Sequence, residues 1–375
     1  MQGSEISFAQ RLRDIAAEAP DAPAILMGEQ TLTRAELHRR SNRMARGLLG
    51  LGFKPGDLLT IGLPNSIGFL EVCFACWKIG ANPQPVSSRL PQAELDAIAE
   101  LAESPFVVGQ RGLASRYPVK TPEDLLALSD DESDLPDAVS PSWKAPTSGG
   151  STGRPKLILS GQPSIFTPEF GIMWHLTTPH ISVMPGPLYH NGPFQTAVMT
   201  ILQGGTLALL AKFDAEETLR EVAARKGTWL YLVPTMMSRI SRLPEETRRK
   251  YDVSSLKTIW HLAAPCPQWL KREWIDWLGP NVVWELYGAT EGQAATVISG
   301  HEWLKKPGSV GRVFIGEIVV LDPDGKELPR GETGELYMRW PPGTPATYVY
   351  RGAESKQLEG GWESVGDIGY IDADG

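Results

Sequence analysis

The chain opens with two stretches in which apolar residues recur at helical spacing behind a capping pair. Ser7 with Gln10, and Thr33 with Glu36, set a hydroxyl three residues ahead of a side chain that can return the bond, the arrangement that starts helices. The second pattern runs through Leu37, Met44 and Leu48 and stops at Gly50. Asp57–Leu63 then reads as a short buried strand, and 66–78 as a helix ended by Gly80 in a left-handed cap. Pro91 suits a first helical turn before Leu95, Ile98 and Leu101 on one face, and Pro105–Gly109 is again strand-like. From residue 181 strands are expected at Ile181–Met184, Thr206–Leu210, Trp229–Val233, Thr258–Leu262 and Val282–Leu286, with helices at 195–203 and 214–225. This alternation predicts an α/β class, with two helix-covered, mostly parallel sheets.

From residue 307 the pattern changes. Glu317–Leu321 leads into the turn Asp322-Pro323-Asp324-Gly325, and Gly334–Arg339 follows as a second strand. Short strands with Asp-Gly turns predict a small, antiparallel, barrel-like subdomain. Three regions are therefore expected: 1–180, 181–306 and 307–375. Tyr370-Ile371 reads as a strand entering a hairpin turn at Asp374-Gly375, with no return strand to satisfy its backbone groups. A longer protein, with a further C-terminal domain absent from this chain, is the expectation.

Composition removes several classes. Of 375 residues 42% are hydrophobic, enough for a large core, and 36 Lys+Arg against 44 Asp+Glu give a net charge of −8. That balance argues against a nucleic-acid partner, whose footprint is a basic excess. No apolar run reaches 18 residues, so no membrane-spanning helix is expected, and the N-terminus lacks the pattern of a secretory signal. Three cysteines, Cys73, Cys76 and Cys266, suit a reduced, cytoplasmic protein. Cys73 and Cys76 lie in an apolar helical run, which favours core packing over redox chemistry. The acidic stretch Ser129–Pro141 reads as a solvated loop, and no histidine or Cys/His cluster suggests zinc.

Chemistry concentrates at Pro146–Lys156, which reads PTSGGSTGRPK. Thr147, Ser148, Gly149, Gly150, Ser151, Thr152 and Gly153 combine four hydroxyls with three glycines, and Arg154 and Lys156 follow. Glycines allow close main-chain approach, and successive amides with hydroxyls can wrap a phosphate. Lys156 precedes Leu157 rather than a hydroxyl residue, so this is not a Walker A loop. Composition alone leaves a flexible surface loop equally open.

This loop resembles the phosphate loop of the adenylate-forming superfamily, which includes acyl-CoA synthetases, peptide-synthetase adenylation domains and firefly luciferase. Further segments match in the same order. Pro187–Gly192 (PLYHNG) resembles the acyl-pocket motif, His261–Pro265 (HLAAP) the adenine-binding turn, and Leu286–Gly292 (LYGATEG) the Y-G-x-T-E signature. Gly334-Glu335-Leu336 and Gly366-Asp367 resemble the late motifs. The resemblance implies that a carboxylic acid attacks Mg-ATP to give an acyl-adenylate, which coenzyme A then converts to a thioester with release of AMP.

By the same resemblance Thr147, Ser148, Thr152 and Lys156, with Gly149, Gly150, Ser151 and Gly153, would hold the phosphates. Glu291 would ligate Mg²⁺ and Thr290 would contact the α-phosphate. Tyr287 would stack on adenine beside Ala263, Ala264, Pro265, Glu285 and Gly288, and Asp367 would hold the ribose. His190, Asn191, Gly192, Ala264 and Gly288 would face the acid. Small residues there, with Met236 and Met237 nearby, leave aromatic, fatty and polycyclic acids open, and Trp174 and Trp260 are candidates for the pocket lining. The expected partners are thus ATP/AMP, Mg²⁺, a carboxylic acid, and coenzyme A or a carrier-protein thiol; oligomeric state is not legible.

Two positions depart from the family pattern: Val365 replaces a threonine beside Gly366, and Glu285 stands where asparagine is common. The family's C-terminal domain supplies a catalytic lysine, so this chain alone is expected to bind substrates and react weakly. An acid in the acyl-pocket motif would suit an amino-acid substrate, and Leu188-Tyr189-His190-Asn191 has none. Two alternatives stay open: a ligase that takes only a preformed acyl-adenylate, and a non-catalytic module binding nucleotide and acid.

Overall fold

Leu58–Gly62 is buried at every position and pairs in parallel with Asn82–Pro85 on one side and Val107–Gly109 on the other. Val119–Lys120 completes this four-stranded parallel sheet. Parallel pairing requires crossovers, and the helices Ile67–Lys78 and Gln92–Leu101 supply them. Ser66 caps the first through its hydroxyl, and Pro91 caps the second as its preceding residue rather than its first turn. The computed structural model describes residues 5–148, 155–177, 179–341, 343–355 and 357–375.

A second sheet has nine strands. Its order is Arg312–Ile315, Ala295–Ser299, Val283–Gly288, Thr258–His261, Trp229–Leu232, Ile181–Met184, Thr206–Leu209, Pro23–Met27 and Gln30–Thr33. Pairing is parallel from Pro23–Met27 through Val283–Gly288 and antiparallel at both edges. Sheet membership therefore crosses residues 180 and 306, because the hairpin at 23–33 and the strand at 312–315 join the central strands. The helix expected at 195–203 begins earlier, at Asn191, and runs to Leu202. Gly192 and Pro193 conceal its first turn from the apolar pattern, although proline is tolerated there because that amide needs no helical acceptor.

The region after 316 forms an antiparallel sheet of Glu317–Leu321, Gly334–Arg339, Trp362–Gly369 and Gln357–Leu358. The strand ends at Gly369 opposite Gly334, so the expected strand at Tyr370-Ile371 is absent. The Ile371 carbonyl instead accepts from the Gly331 amide at 2.8 Å. The expected turn does close, with Gly375 N donating to the Asp372 carbonyl at 3.0 Å.

Aromatic packing under the first helices fixes the floor of the site. Phe8 meets Trp77 edge-on at 5.1 Å, and Trp143 stacks on Phe194 at 5.8 Å. Cys73 and Cys76 are fully buried in this core and free; burial pushes both thiols up, away from the reactive thiolate. The acidic stretch 129–141 is tied down rather than merely solvated. Asp130, Asp131 and Glu132 pair with Arg43, Arg46 and Arg39 of the helix Arg34–Gly50, and Asp134 accepts from His38 at 2.7 Å.

Candidate active site

The two ends of the glycine-rich segment are bound to each other. Thr147–Ser148 pairs antiparallel with Lys156–Ser160, placing Ser148 opposite Lys156. On its other edge Lys156–Ser160 pairs with Tyr348–Arg351. A local hairpin and a strand from far along the chain thus meet at Lys156. Gly149, Gly150, Ser151, Thr152 and Gly153 lie outside the described residues, as does the side chain of Ser148.

Lys156 Nζ lies 3.7 Å from Glu291 Oε1 and 4.0 Å from the centroid of the Tyr350 ring. The Tyr350 hydroxyl donates to the same Glu291 oxygen at 2.5 Å. Burial, then the neighbouring carboxylate, raises the Tyr350 pKa, so the phenol remains a donor. Glu291 sits just past the strand Val283–Gly288, in a turn where Gly292 takes φ +73°. A cation and a carboxylate are thereby held together at the mouth of the loop.

Nearby, the Tyr287 hydroxyl donates to Asp367 Oδ2 at 2.8 Å and joins the nine-stranded sheet to the strand Trp362–Gly369. Ala263 adopts φ +70°, a left-handed conformation rare without glycine. Strain of this kind gathers at functional turns, and this one lies in the segment expected to face adenine.

A cavity of about 1040 Å³ opens beside these groups. His190, Asn191, Gly192, Ala263, Ala264, Gly288, Thr290 and Glu291 line it. Its apolar wall comes from Trp174, Met199, Tyr231, Met236 and Phe314. Met237 is instead fully buried in the core, and Trp260 packs behind Trp174 at 5.0 Å. His190 is exposed to the cavity, its ring 4.3 Å from that of Tyr189, and its partial enclosure by protein lowers its pKa.

Thr147, Lys156, Pro265, Tyr287 and Asp367 lie off this wall. Glu285 is also set apart, and the reason is an ion pair. Its carboxylate accepts from Lys271 of the helix Gln268–Leu278, and both groups are buried. Burial pushes Glu285 up and Lys271 down, each opposed by the partner's charge. His261 Nε2 lies 3.8 Å from Glu285, and burial, with Lys271 adding repulsion, holds its pKa well below the usual range. These groups brace the strands under the turn at Ala263–Pro265 rather than face the cavity.

Two residues at the site, Tyr350 and Lys144, were not legible in the sequence. Tyr350 sits on a strand whose partner is far away in the chain. Lys144 is buried, and its Nζ bonds to the side-chain oxygens of Asn191 and Gln195, the latter at 3.2 Å. A lysine three residues before Thr147 carries no local sign of burial. The alternation Tyr348-Val349-Tyr350 was the one signal available for the strand.

An α/β scaffold that gathers a hydroxyl-bearing hairpin, a cation–carboxylate pair and an acid-sized cavity fits a nucleotide-dependent acid-activating enzyme. Residues 12–349 match the model of the AMP-binding enzymes, and the chain belongs to that family. It is 31% identical over 370 residues to a feruloyl-CoA synthase of Amycolatopsis, covering 95% of this chain and 74% of that protein. It is 28% identical over 392 residues to the fatty acid–[acyl-carrier-protein] ligase ScoC of Streptomyces coeruleorubidus, covering 96% and 74%. Among solved structures, the Bacillus subtilis o-succinylbenzoate CoA synthetase with its acyl-adenylate intermediate superposes with a TM-score of 0.82 at 23% identity, over all of this chain and 77% of that one. The chain is an AMP-forming acyl-CoA ligase, whose chemistry uses ATP, a carboxylic acid and coenzyme A.

Proposed function

We propose that the acid enters the 1040 Å³ cavity and that its carboxylate attacks the α-phosphate of ATP near Thr290 and Glu291. Lys156, with the hydroxyls and amides of 147–153, would shield the departing pyrophosphate. Glu291 would hold Mg²⁺, a hard cation that prefers carboxylate and phosphate oxygens. The metal would displace or share the contact that Glu291 makes with Lys156 at 3.7 Å, freeing the lysine for phosphate. Tyr287, Ala263, Ala264, Pro265 and Gly288 would receive the base and Asp367 the ribose. Glu285 would act from behind, by holding its strand to Lys271. His190 would border the carboxylate.

The observation that carries this reading is the convergence of Lys156, Glu291 and Tyr350 beside a cavity that also contains Thr290. The aromatic and thioether lining favours a bulky apolar acid, and coenzyme A is the proposed acceptor, with the protein acting in the cytoplasm. The division at residues 180 and 306 is proposed as one of chemical contribution, with the loop, the acyl and adenine motifs, and the ribose aspartate coming from successive regions. The test is acid-dependent exchange of labelled pyrophosphate into ATP across ferulate, 2-naphthoate, palmitate and a steroid acid. Exchange with at least one supports the reading; no exchange, with no binding of Mg-ATP, contradicts it.

A further inference from the structure

Among the described residues Lys144 is the only lysine or arginine on the cavity wall. It reaches the wall from the segment that leads into Thr147, on the same side as the acyl motif. Its exposure is 7%, so nearly all of its solvation has been given up. An ammonium has three N–H donors. Two are taken by neutral acceptors, Asn191 Oδ1 and Gln195 Oε1, and the face of Trp143 lies 4.8 Å away. No carboxylate among the described residues comes within 4.0 Å, although 22 ion pairs form elsewhere among those residues. A buried cation ordinarily demands an anion. Here the charge and one donor are unspent, and they border a cavity.

Asn191 and Gln195 lie in the first turns of the helix that begins beside His190, and the ammonium shares the cavity wall with Thr290 and with Glu291, whose charge acts on it. The carboxylic acid, the substrate that the cavity is sized for, brings one anion there. We propose that Lys144 binds the reacting carboxylate of the acid substrate, using its third N–H, and so selects carboxylates over neutral isosteres before ATP is attacked. This rests on the ligase reading and adds to it a cation within the cavity-bearing body itself. Asn191 and Gln195 orient the ammonium and are positioning residues. Burial lowers the Lys144 pKa to about 7, with the Glu291 charge opposing the shift, as expected of a cation that lacks its partner until the acid arrives.

The test compares the acid that exchanges best in the panel above with its primary amide, by calorimetry on the full chain without nucleotide. The chain is expected to bind the acid more tightly than the amide. Lys144→Met should weaken acid binding about 10–100-fold, the range for a charge-assisted hydrogen bond, and leave amide binding within about threefold. Lys144→Arg should retain part of the preference, and Gln195→Leu, which keeps the ammonium, should retain most of it. If Lys144→Met does not fold, Lys144→Gln supplies the same two arms. Unchanged acid binding in Lys144→Met overturns the assignment. So does equal loss of acid and amide, which marks a packing role. Absence of exchange by the unmodified protein is a different result, since it rejects the ligase reading itself.

Discussion

Glu291 shares one oxygen between the Tyr350 hydroxyl and the approach of Lys156, so its orientation is set before any ligand binds. Glu291→Gln keeps the shape and removes the charge, and pyrophosphate exchange should fall about 100–1000-fold, the range seen when one transition-state electrostatic contact is lost. Tyr350→Phe removes only the orienting donor, and a loss of about tenfold in kcat is expected. Lys144 sets a pH window. The folded chain loses its proton near pH 7 while the unfolded chain keeps it to about 10.5, so this group's contribution to stability rises with pH across that interval. Acid binding runs the other way and should weaken as pH rises through about 7, because it needs the ammonium. At pH 8 binding should take up a proton, readable by calorimetry in two buffers of different ionisation enthalpy. Of the other titratable groups on the wall, Glu291 bears the opposing charge, Glu5 is exposed, Tyr231 is kept protonated by burial, and His190, its pKa lowered by burial, is neutral at pH 8. Neither feature was legible in the sequence. Lysine and tyrosine are common surface residues, and only the folded chain shows what surrounds them.

At the scale of elements, the regular pieces were legible because their periods were strong. Ile181–Met184, Glu317–Leu321 and Gly334–Arg339 form where alternation and turn residues put them, and Thr33 with Glu36 closes both bonds of a capping box. Pairing between distant strands was not legible. Tyr348–Arg351 aligns with Lys156–Ser160 across about half the chain, and no local pattern encodes that register. The buried pair between the helix Gln268–Leu278 and the strand Val283–Gly288 was hidden for a related reason, since Lys271 and Glu285 read as surface charges. Lys271→Met should strip the Glu285 carboxylate of its partner and cost about 3–5 kcal/mol in denaturant unfolding. Replacing both by apolar residues should recover most of that loss. The helix leaves little room beside the cavity: a Cβ on Gly192 would fall 2.7 Å from the Tyr231 hydroxyl, on a ring that is itself buried. Gly192→Ala should therefore lower kcat/KM for the bulkiest acid in the panel by about tenfold and spare the smallest.

Across the whole molecule, the site is assembled where three sheets approach. The hairpin and Tyr350 come from the three-stranded sheet, Glu291 and Ala263 follow strands of the nine-stranded sheet, and Asp367 comes from the antiparallel sheet. The bond between Tyr287 and Asp367 ties the last two together. No helix among the described residues is long and apolar enough to cross a membrane. The ordered series of motifs made the family readable in advance, whereas the cavity wall, drawn from Glu5, from Phe8 of the first helix and from segments between residues 143 and 347, emerged only with the fold. The most direct measurement is labelled-pyrophosphate exchange into ATP, run with and without acid, in the unmodified protein and in Glu291→Gln. The account predicts exchange that requires both acid and Mg²⁺ and nearly vanishes in the variant. Exchange of equal rate in the two proteins would contradict it.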